Sequence, residues 1–597
     1  MSAFAGRRVV FLVLVAGAGL LGIWWWQTSA PALNLLMITL DTTRADRLGA
    51  WGGPVGLTPI LDDLAKRGIV FERAYAPVPI TLPSHASLMT GLYPPEHGLR
   101  VNNGVNRLGA DIPVLAELLG KHGYRTGAFV GAFVLDSQFG LDRGFEHYDD
   151  EMSSDHVAAD GDAHGHRMRA GQDVVSASLA WLTGRRREHF FCWVHLFDPH
   201  TPYSPREELF GEKYRDRPYD AGVACVDRQV GRLLDFLKRH GLEQRTVVVV
   251  AGDHGESLGE HGERTHGYTL YDATMQVPLL IRLPGNDPPA RRVAVPVSLV
   301  DVFPTLLELL KIDAPSGCSG RTLVPAVRGE QLDSAACYAE TNHPFEEAGA
   351  APLRCLLTDR WKYIRSPRRE LYDLSNDPRE LRNVAEFRSA EVDELEAVLQ
   401  EQEARFVQRD APTIVLSPPD RRKLASLGYL GGNAAETVTE EQLPDIKDLL
   451  PHINAHSDAQ GLMRTGEFQS AIGLLEPVVH AAPDYFQAWF NLGVCFQQLN
   501  QIAAAEQALQ RAVEIDGNAP ARIALSKLYL SQQRVDQAMP QLEAAIRLEP
   551  NSVEGQFLLG VAYRLQGLDQ EARRQYQRVL QQDPEFLPAH QALKELP

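Results

Sequence analysis

Three short apolar runs in the first half of the chain each end at acid or imidazole groups, and nothing else in the sequence constrains the fold as tightly. Residues 35–40 run into Asp41, residues 190–197 into Asp198 and His200, and residues 246–251 into Asp253 and His254. Such nearly continuous runs, bounded by polar residues, read as strands buried on both faces of a parallel sheet. Residues 277–283 read as a further strand, and residues 59–66 as a helix stopped by Gly68. The alternation predicts an α/β sandwich with a mainly parallel central sheet over residues 32–385. Open sheets of this kind bind ligands beyond the carboxyl ends of their strands. Asp41, Asp198, His200, Asp253 and His254 are therefore expected to converge on one site.

The chain has 597 residues and a net charge of −18, a balance that argues against nucleic acid as a structural partner. It leaves an anionic substrate open, because a bound metal ion can invert the local field. Arg7 and Arg8 precede an uncharged apolar run over residues 9–26 that closes on Trp24, Trp25 and Trp26. This is near the minimum for a membrane span, with the two arginines predicting a cytoplasmic N-terminus. Pro31 follows the small residues Thr28, Ser29 and Ala30 and disfavours cleavage there. Residues 1–31 are thus expected to be a cytoplasmic stub and an uncleaved signal anchor. A single-pass protein of the inner or plasma membrane follows, with the rest outside the cytoplasm, in the periplasm of a Gram-negative source. Cys192 and Cys495 read as core residues, and Cys318 with Cys337 could form a disulfide in an oxidising compartment.

Residues 151–170 hold His156, His164 and His166 in an Asp/Gly-rich stretch, which reads as a surface insertion or a loop over the site. Residues 386–450 read as a helical connector containing a turn at 427–432. Beyond it Ala471, Ala505, Ala538 and Ala572 recur at intervals of 34, 33 and 34, and Pro483, Gly517, Pro550 and Pro584 at the same intervals. This pattern over residues 451–597 resembles the tetratricopeptide repeat, an all-α solenoid of helix pairs with a concave face. A protein partner on that face and a plain spacer or self-association role are both compatible with it.

Five motifs in order carry a second resemblance. They are the strand ending at Asp41, the run Thr81-Leu82-Pro83-Ser84-His85 through Thr90-Gly91, His195 through Tyr203, Gly252-Asp253-His254-Gly255-Glu256, and Lys362 through Asn383. Together they resemble the sulfatase branch of the alkaline phosphatase superfamily, with a C-terminal subdomain at about 350–385. The resemblance implies a metal-dependent ester hydrolase. Sulfatases place at the first position of the second motif a Cys or Ser that becomes formylglycine; this chain has Thr81, so no formylglycine is expected. The Arg that sulfatases carry four residues later is His85 here, and the Lys and His that bind sulfate are missing from residues 123–133.

The run from Thr81 to Asn102 is similar, without a gap, to the nucleophile segment of nucleotide pyrophosphatase/phosphodiesterases. That likeness implies Thr81 as nucleophile and Asn102, with Asn103 as the alternative, as donor to the phosphoryl oxygen. Asp41, Thr81, Asp253 and His254 would hold a divalent ion, Zn²⁺ or Mn²⁺ by ligand type. Asp198, His200 and His266 would complete a second metal site. If, as in phosphoethanolamine transferases and lipoteichoic-acid synthases, one metal suffices, His200 and His266 would instead meet substrate or protonate the leaving group. His261 could join either arrangement. The reading is a membrane-anchored hydrolase of phosphate mono- or diesters or phosphonates acting on an anionic ester. The alternatives are a phospho-group transferase on lipid or glycan, a sulfuric ester hydrolase without formylglycine, and an inactive domain in a repeat-based scaffold.

Overall fold

The computed structural model describes residues 33–152, 169–285, 289–414 and 442–596. The apolar run 9–26, the histidines at 156, 164 and 166 and the turn at 427–432 lie outside these residues. Among the described residues no helix is long and apolar enough to cross a membrane.

The central sheet has nine strands: β1 (Asn34–Leu40), β2 (Ile69–Tyr75), β3 (Arg125–Phe129), β4 (His147–Asp149), β5 (Phe190–Leu196), β6 (Thr246–Gly252), β7 (Gln276–Arg282), β8 (Arg291–Val293) and β9 (Val297–Ser298). They run in the order β4-β3-β5-β1-β6-β7-β2-β8, with β9 also on β2. All neighbours are parallel except where β7 meets β6 and β2. The expected mainly parallel sheet is therefore present, and the run at 277–283 supplies its one reversed strand.

Both faces are covered, which is why the central strands lack polar alternation. Leu36, Ile38 and Leu40 pack with Leu61, Val174, Val230 and Leu233, from helices Pro59–Ala65, Gly171–Gly184 and Pro218–Arg239. Leu35 and Met37 pack on the opposite face with Leu82, Ala86 and Met89 of helix Thr81–Thr90. Thr39 and His195, paired in register across β1 and β5, follow the same alternation onto the Thr81–Thr90 side.

A second, antiparallel sheet follows the chain order β10 (Cys337–Thr341), β11 (Leu353–Leu357), β12 (Trp361–Arg365) and β13 (Glu370–Asp373). Helix Ser389–Arg405 lies across it, with Val392, Leu395 and Leu399 against Tyr338, Leu356 and Tyr363. Cys318 and Cys337 are free thiols rather than a disulfide, and the Cys318 thiol lies 3.5 Å from the Gly91 carbonyl. Cys192 and Cys495 are buried, as expected for core residues.

From Ile446 onward the chain is helical to Glu595 in successive antiparallel pairs. The periodic Ala471, Ala505, Ala538 and Ala572 are fully buried where paired helices approach. A Cβ at Gly493 would lie 2.7 Å from Leu509 Cγ, and one at Gly560 2.5 Å from Tyr576 Cε1. Residue 526, between them in register, is Ser, whose Oγ donates to the Arg522 carbonyl at 2.6 Å and faces the Ala538 carbonyl at 3.4 Å. The first helix, Ile446–Arg464, does not stand apart. Its Ile446, Leu449, Leu450 and Ile453 belong to the same apolar cluster as the sheet residues Leu35 and Met37.

Candidate active site

The acids sit where the parallel strands stop. Asp41 directly follows β1, and its N–H donates to the Leu196 carbonyl at the end of β5 at 2.9 Å. Asp253 directly follows β6, and its N–H donates to the Leu40 carbonyl at 3.3 Å. Neighbouring strand ends thus put the two carboxylates side by side. Asp253 Oδ1 accepts the N–H groups of Thr42 at 3.1 Å and His254 at 2.7 Å, which fixes its rotamer. Ser84 Oγ donates to the Asp253 carbonyl at 2.6 Å and ties the Thr81–Thr90 helix to the end of β6.

Thr81 opens that helix. Its Oγ1 lies 3.2 Å from His254 Nε2 and 3.5 Å from Asp41 Oδ2. His254 Nδ1 is 2.9 Å from the Gly255 carbonyl, which can only accept, so Nδ1 carries the proton and Nε2 presents a lone pair to Thr81. One ligand atom each from Asp41, Asp253 and His254 lies within 4.8 Å of the others. All three residues and Thr81 are buried.

Behind Asp41 lies a hydrogen-bond relay whose tautomers can be worked out. His85 Nδ1 must donate to the Thr81 carbonyl at 2.8 Å. Burial, and then the nearby His195, push His85 well below the ordinary histidine range, so it is neutral and its Nε2 accepts from Thr39 Oγ1 at 3.0 Å. Trp193 Nε1 donates to the same hydroxyl at 3.0 Å, and His195 Nδ1, 3.1 Å away, donates to its remaining lone pair. The His195 Nε2 lone pair therefore faces Asp41 Oδ2 at 3.3 Å, without the alignment of a hydrogen bond. Two acceptors so placed call for a proton or a cation between or beside them.

The rest of the cluster asks for the same thing. Asp41 Oδ1 and Asp253 Oδ2 are buried with no hydrogen-bond partner. Both carboxyls are held well above the usual carboxylate range by burial, with Glu256 adding to the effect on Asp41 and Asp41 adding to it on Asp253. A pair of buried carboxylates with open oxygens beside an imidazole lone pair is the donor set of a divalent cation, so the residues present fit a metal.

Asn102 is buried beside the start of the Thr81–Thr90 helix. Its Oδ1 accepts the Leu82 N–H at 3.1 Å, which assigns the amide orientation and leaves Nδ2 as a buried donor with no partner. The alternative, Asn103, caps its own turn through the N–H groups of Val105 and Asn106 and is occupied. His200 and His266 come together with His254: the His254 and His266 rings are 4.5 Å apart and the His200 and His266 rings 5.2 Å. His200 Nδ1 donates to the Thr201 carbonyl at 2.6 Å, and His266 Nδ1 meets Glu256 Oε1 at 3.0 Å, so each ring is oriented through Nδ1. Burial pushes His266 down to about 4.

Asp198 does not join this group. Its Oδ1 is taken by Cys225 Sγ at 3.3 Å and Arg206 Nη2 at 3.2 Å, and its carboxylate fills the space beside Gly171. Among the described residues the ligand atoms grouped closely enough for an ion are those of Asp41, Asp253 and His254, and Asp198, His200 and His266 do not form a second such group. His261 stacks on Tyr271 at 3.8 Å and is a loop residue. His195, which opens the third motif and was given no role of its own there, is brought onto the Thr81 side by its register opposite Thr39.

Comparison with known proteins identifies the parts of the chain. Residues 33–312 match the sulfatase family model, residues 259–408 the model for the C-terminal part of N-sulphoglucosamine sulphohydrolase, and residues 458–520 and 523–585 the tetratricopeptide repeat. The chain is 27% identical over 430 residues to the uncharacterized sulfatase YidJ of Escherichia coli, spanning 60% of this chain and 84% of that one. It is 25% identical over 414 residues to a Δ4,5-hexuronate-2-O-sulfatase of Bacteroides thetaiotaomicron, spanning 59% and 84%. The crystal structure of the phosphonate monoester hydrolase of Agrobacterium radiobacter superposes with a TM-score of 0.53 at 22% identity, covering 65% of this chain and all of that one. The chain is a sulfatase-family ester hydrolase with the alkaline-phosphatase-like fold, extended at its C-terminus by tetratricopeptide repeats.

Proposed function

We propose that this hydrolase cleaves phosphorus esters, phosphate mono- or diesters or phosphonates, with Thr81 as the nucleophile. The observation that carries the reading is the pairing of Thr81 Oγ1, 3.2 Å from His254 Nε2, with the open Asn102 Nδ2 donor at the same helix start. A threonine side chain cannot become the formylglycine aldehyde, and His85, where sulfatases carry Arg, is used up in the relay to Thr39. The likeness in fold to a phosphonate monoester hydrolase supports this reading.

A divalent cation held by Asp41, Asp253, His254 and Thr81 would neutralise charge on the ester and lower the pKa of the Thr81 hydroxyl. Thr81 Oγ1 attacks phosphorus in line, and the leaving alcohol departs on the opposite side. Asn102 Nδ2 donates to the phosphoryl oxygen on which charge develops. The proton that Thr81 gives up passes to the Nε2 lone pair of His266, set by the contact of its Nδ1 with Glu256, or of His200, and from there to the leaving oxygen. Water then resolves the phosphoryl-threonine. The reading includes attachment to a membrane through the apolar run 9–26, with both domains outside the cytoplasm, a proposal from sequence alone.

The test is hydrolysis of p-nitrophenyl phosphate, bis-p-nitrophenyl phosphate, a p-nitrophenyl phosphonate and p-nitrophenyl sulfate with Zn²⁺ or Mn²⁺. Turnover of at least one phosphorus ester above sulfate is expected, and Thr81→Ala is expected to abolish it. Sulfate turnover well above all three phosphorus esters, or a fully active Thr81→Ala enzyme, would end this reading.

A further inference from the structure

The loop that carries His266 is fastened on two sides. From within, Ser257 N–H donates to the Thr265 carbonyl at 2.8 Å, and Ser257 Oγ faces the carbonyls of Glu260 and Glu263 at 3.0 and 2.9 Å. Glu263 turns inward, and its carboxylate accepts from Tyr268 N–H at 2.9 Å and from Thr269 Oγ1. Within the outward segment, residues 261–264, the Gly262 and Glu263 N–H groups donate to the Gly259 and Glu260 carbonyls at 3.3 Å, His261 stacks on Tyr271, and the backbone passes through the left-handed region at His261 (φ 55°) and Gly262 (φ 86°). Gly262 and Arg264 take further contacts from the first helix of the repeat array.

Leu450, Asn454 and Asp458 stand four residues apart on helix Ile446–Arg464, so they form one stripe along its surface. Asn454 Nδ2 donates to the Gly262 carbonyl at 2.7 Å. Asp458 takes Arg264 Nη1 on both carboxylate oxygens at 2.9 Å. Leu450 Cδ1 lies 3.8 Å from where a Cβ of Gly262 would stand. Arg264 is two residues from His266. The third helix of the array, Phe486–Gln498, also reaches the hydrolase: Gln487 Nε2 donates to Glu347 Oε2 at 3.0 Å. Glu347 lies on helix His343–Ala348, whose His343 packs on Tyr268 with ring centroids 4.5 Å apart.

We infer that Asn454 and Asp458 of the repeat array are positioning residues for His266, so that the solenoid forms part of the wall of the hydrolase site. The inference rests on His266 serving the leaving group as proposed above. A proton donor is sensitive to placement at the ångström level, where small displacements cost large factors in rate. The clamp acts from outside the cluster, and its side chains touch neither substrate nor any ligand of the proposed cation.

The side chains of Arg264 and Asp458 are 57% and 53% exposed, so changing them leaves folding intact. The test uses the full chain with Asn454→Ala, Asp458→Ala, and the swap Arg264→Asp with Asp458→Arg. Two readouts are taken: hydrogen exchange over residues 256–268, and turnover of paired p-nitrophenyl and phenyl esters of one acid. A displaced proton donor slows the phenyl ester, whose leaving group needs the proton, and spares the p-nitrophenyl ester. Expected are faster local exchange, a loss of about tenfold on the phenyl ester with less than about twofold on the other, and recovery in the charge swap. Unchanged exchange over the loop, or equal losses on both esters, overturns the inference. Should the wild-type enzyme prefer sulfate esters, the paired esters are made as sulfates; the proposed phosphorus chemistry then fails while the exchange readout still decides the role of the clamp.

Discussion

Asn102 offers the sharpest perturbation of the proposed chemistry, because its two polar atoms have separable duties. Oδ1 serves the fold by accepting the Leu82 N–H at 3.1 Å, and Nδ2 is the open donor. Asn102→Asp keeps shape and acceptor while replacing the donor with an oxygen. Losing one donor to a developing oxyanion costs roughly 10²–10³ in kcat, about 3–4 kcal/mol of transition-state stabilisation. The added carboxylate also repels an anionic ester, so KM should rise as well. Asn102→Ala removes both duties. It strands the Leu82 N–H, which costs about 1–3 kcal/mol of stability, but it brings no new charge. Asn102→Asp also leaves a buried oxygen unpaired, so both variants should be less stable than wild type in a urea melt, while Asn102→Ala should be no less active than Asn102→Asp in steady-state turnover. An Asn102→Asp enzyme within about threefold of wild type in kcat and KM would refute the donor role. An Asn102→Ala variant as stable as wild type would refute the capping role of Oδ1.

Chelation should lower the melting temperature, and Zn²⁺ or Mn²⁺ should restore it, because the buried Asp41 and Asp253 lose the charge that compensates them; at a hundredfold excess over Kd the ion contributes about 2.7 kcal/mol. A melting temperature indifferent to both treatments would argue against a metal at this cluster. His97 supplies a pH test outside the cluster. Leu99 N–H donates to its Nδ1 at 3.1 Å, so Nε2–H faces Ser87 Oγ at 3.0 Å, and burial pushes the imidazole down to about 3. Its folded pKa is depressed below the unfolded value of about 6.5, so its contribution is complete above pH 6.5 and is lost as pH falls through the window toward 3. The stability gap between wild type and His97→Gln should narrow by about 1.4 kcal/mol for each unit below pH 6.5; a gap constant between pH 7 and 5 would show that His97 does not titrate this way.

Residues fixed by local chain order were legible in the sequence. Asp41, Asp253 and His254 follow buried strands directly, and a parallel sheet has no choice but to gather the ends of adjacent strands. Thr81 and Asn102 belong to one ungapped segment. Asp198 misled because position after a strand does not set side-chain direction, and here Arg206 and Cys225 draw the carboxylate away. His195 was hidden by its apolar neighbours, although its alternation with Phe191 and Trp193 placed it on the nucleophile face. The contact of Asn454 and Asp458 with the His266 loop joins residues about two hundred positions apart, and no periodicity in either segment announces the other.

The continuity of the apolar core from the central sheet into helix Ile446–Arg464 has a consequence for the solenoid. Stacked repeats bury their faces against neighbours, and a terminal unit ordinarily needs a polar outer face to stay soluble. At its amino end this array has Leu449, Leu450 and Ile453 instead, seated on the hydrolase. The catalytic unit is therefore the amino-terminal cap of the array. Repeat order should propagate outward from it, so that the helices nearest Glu595 fray first and those nearest Ile446 share the stability of the enzyme itself.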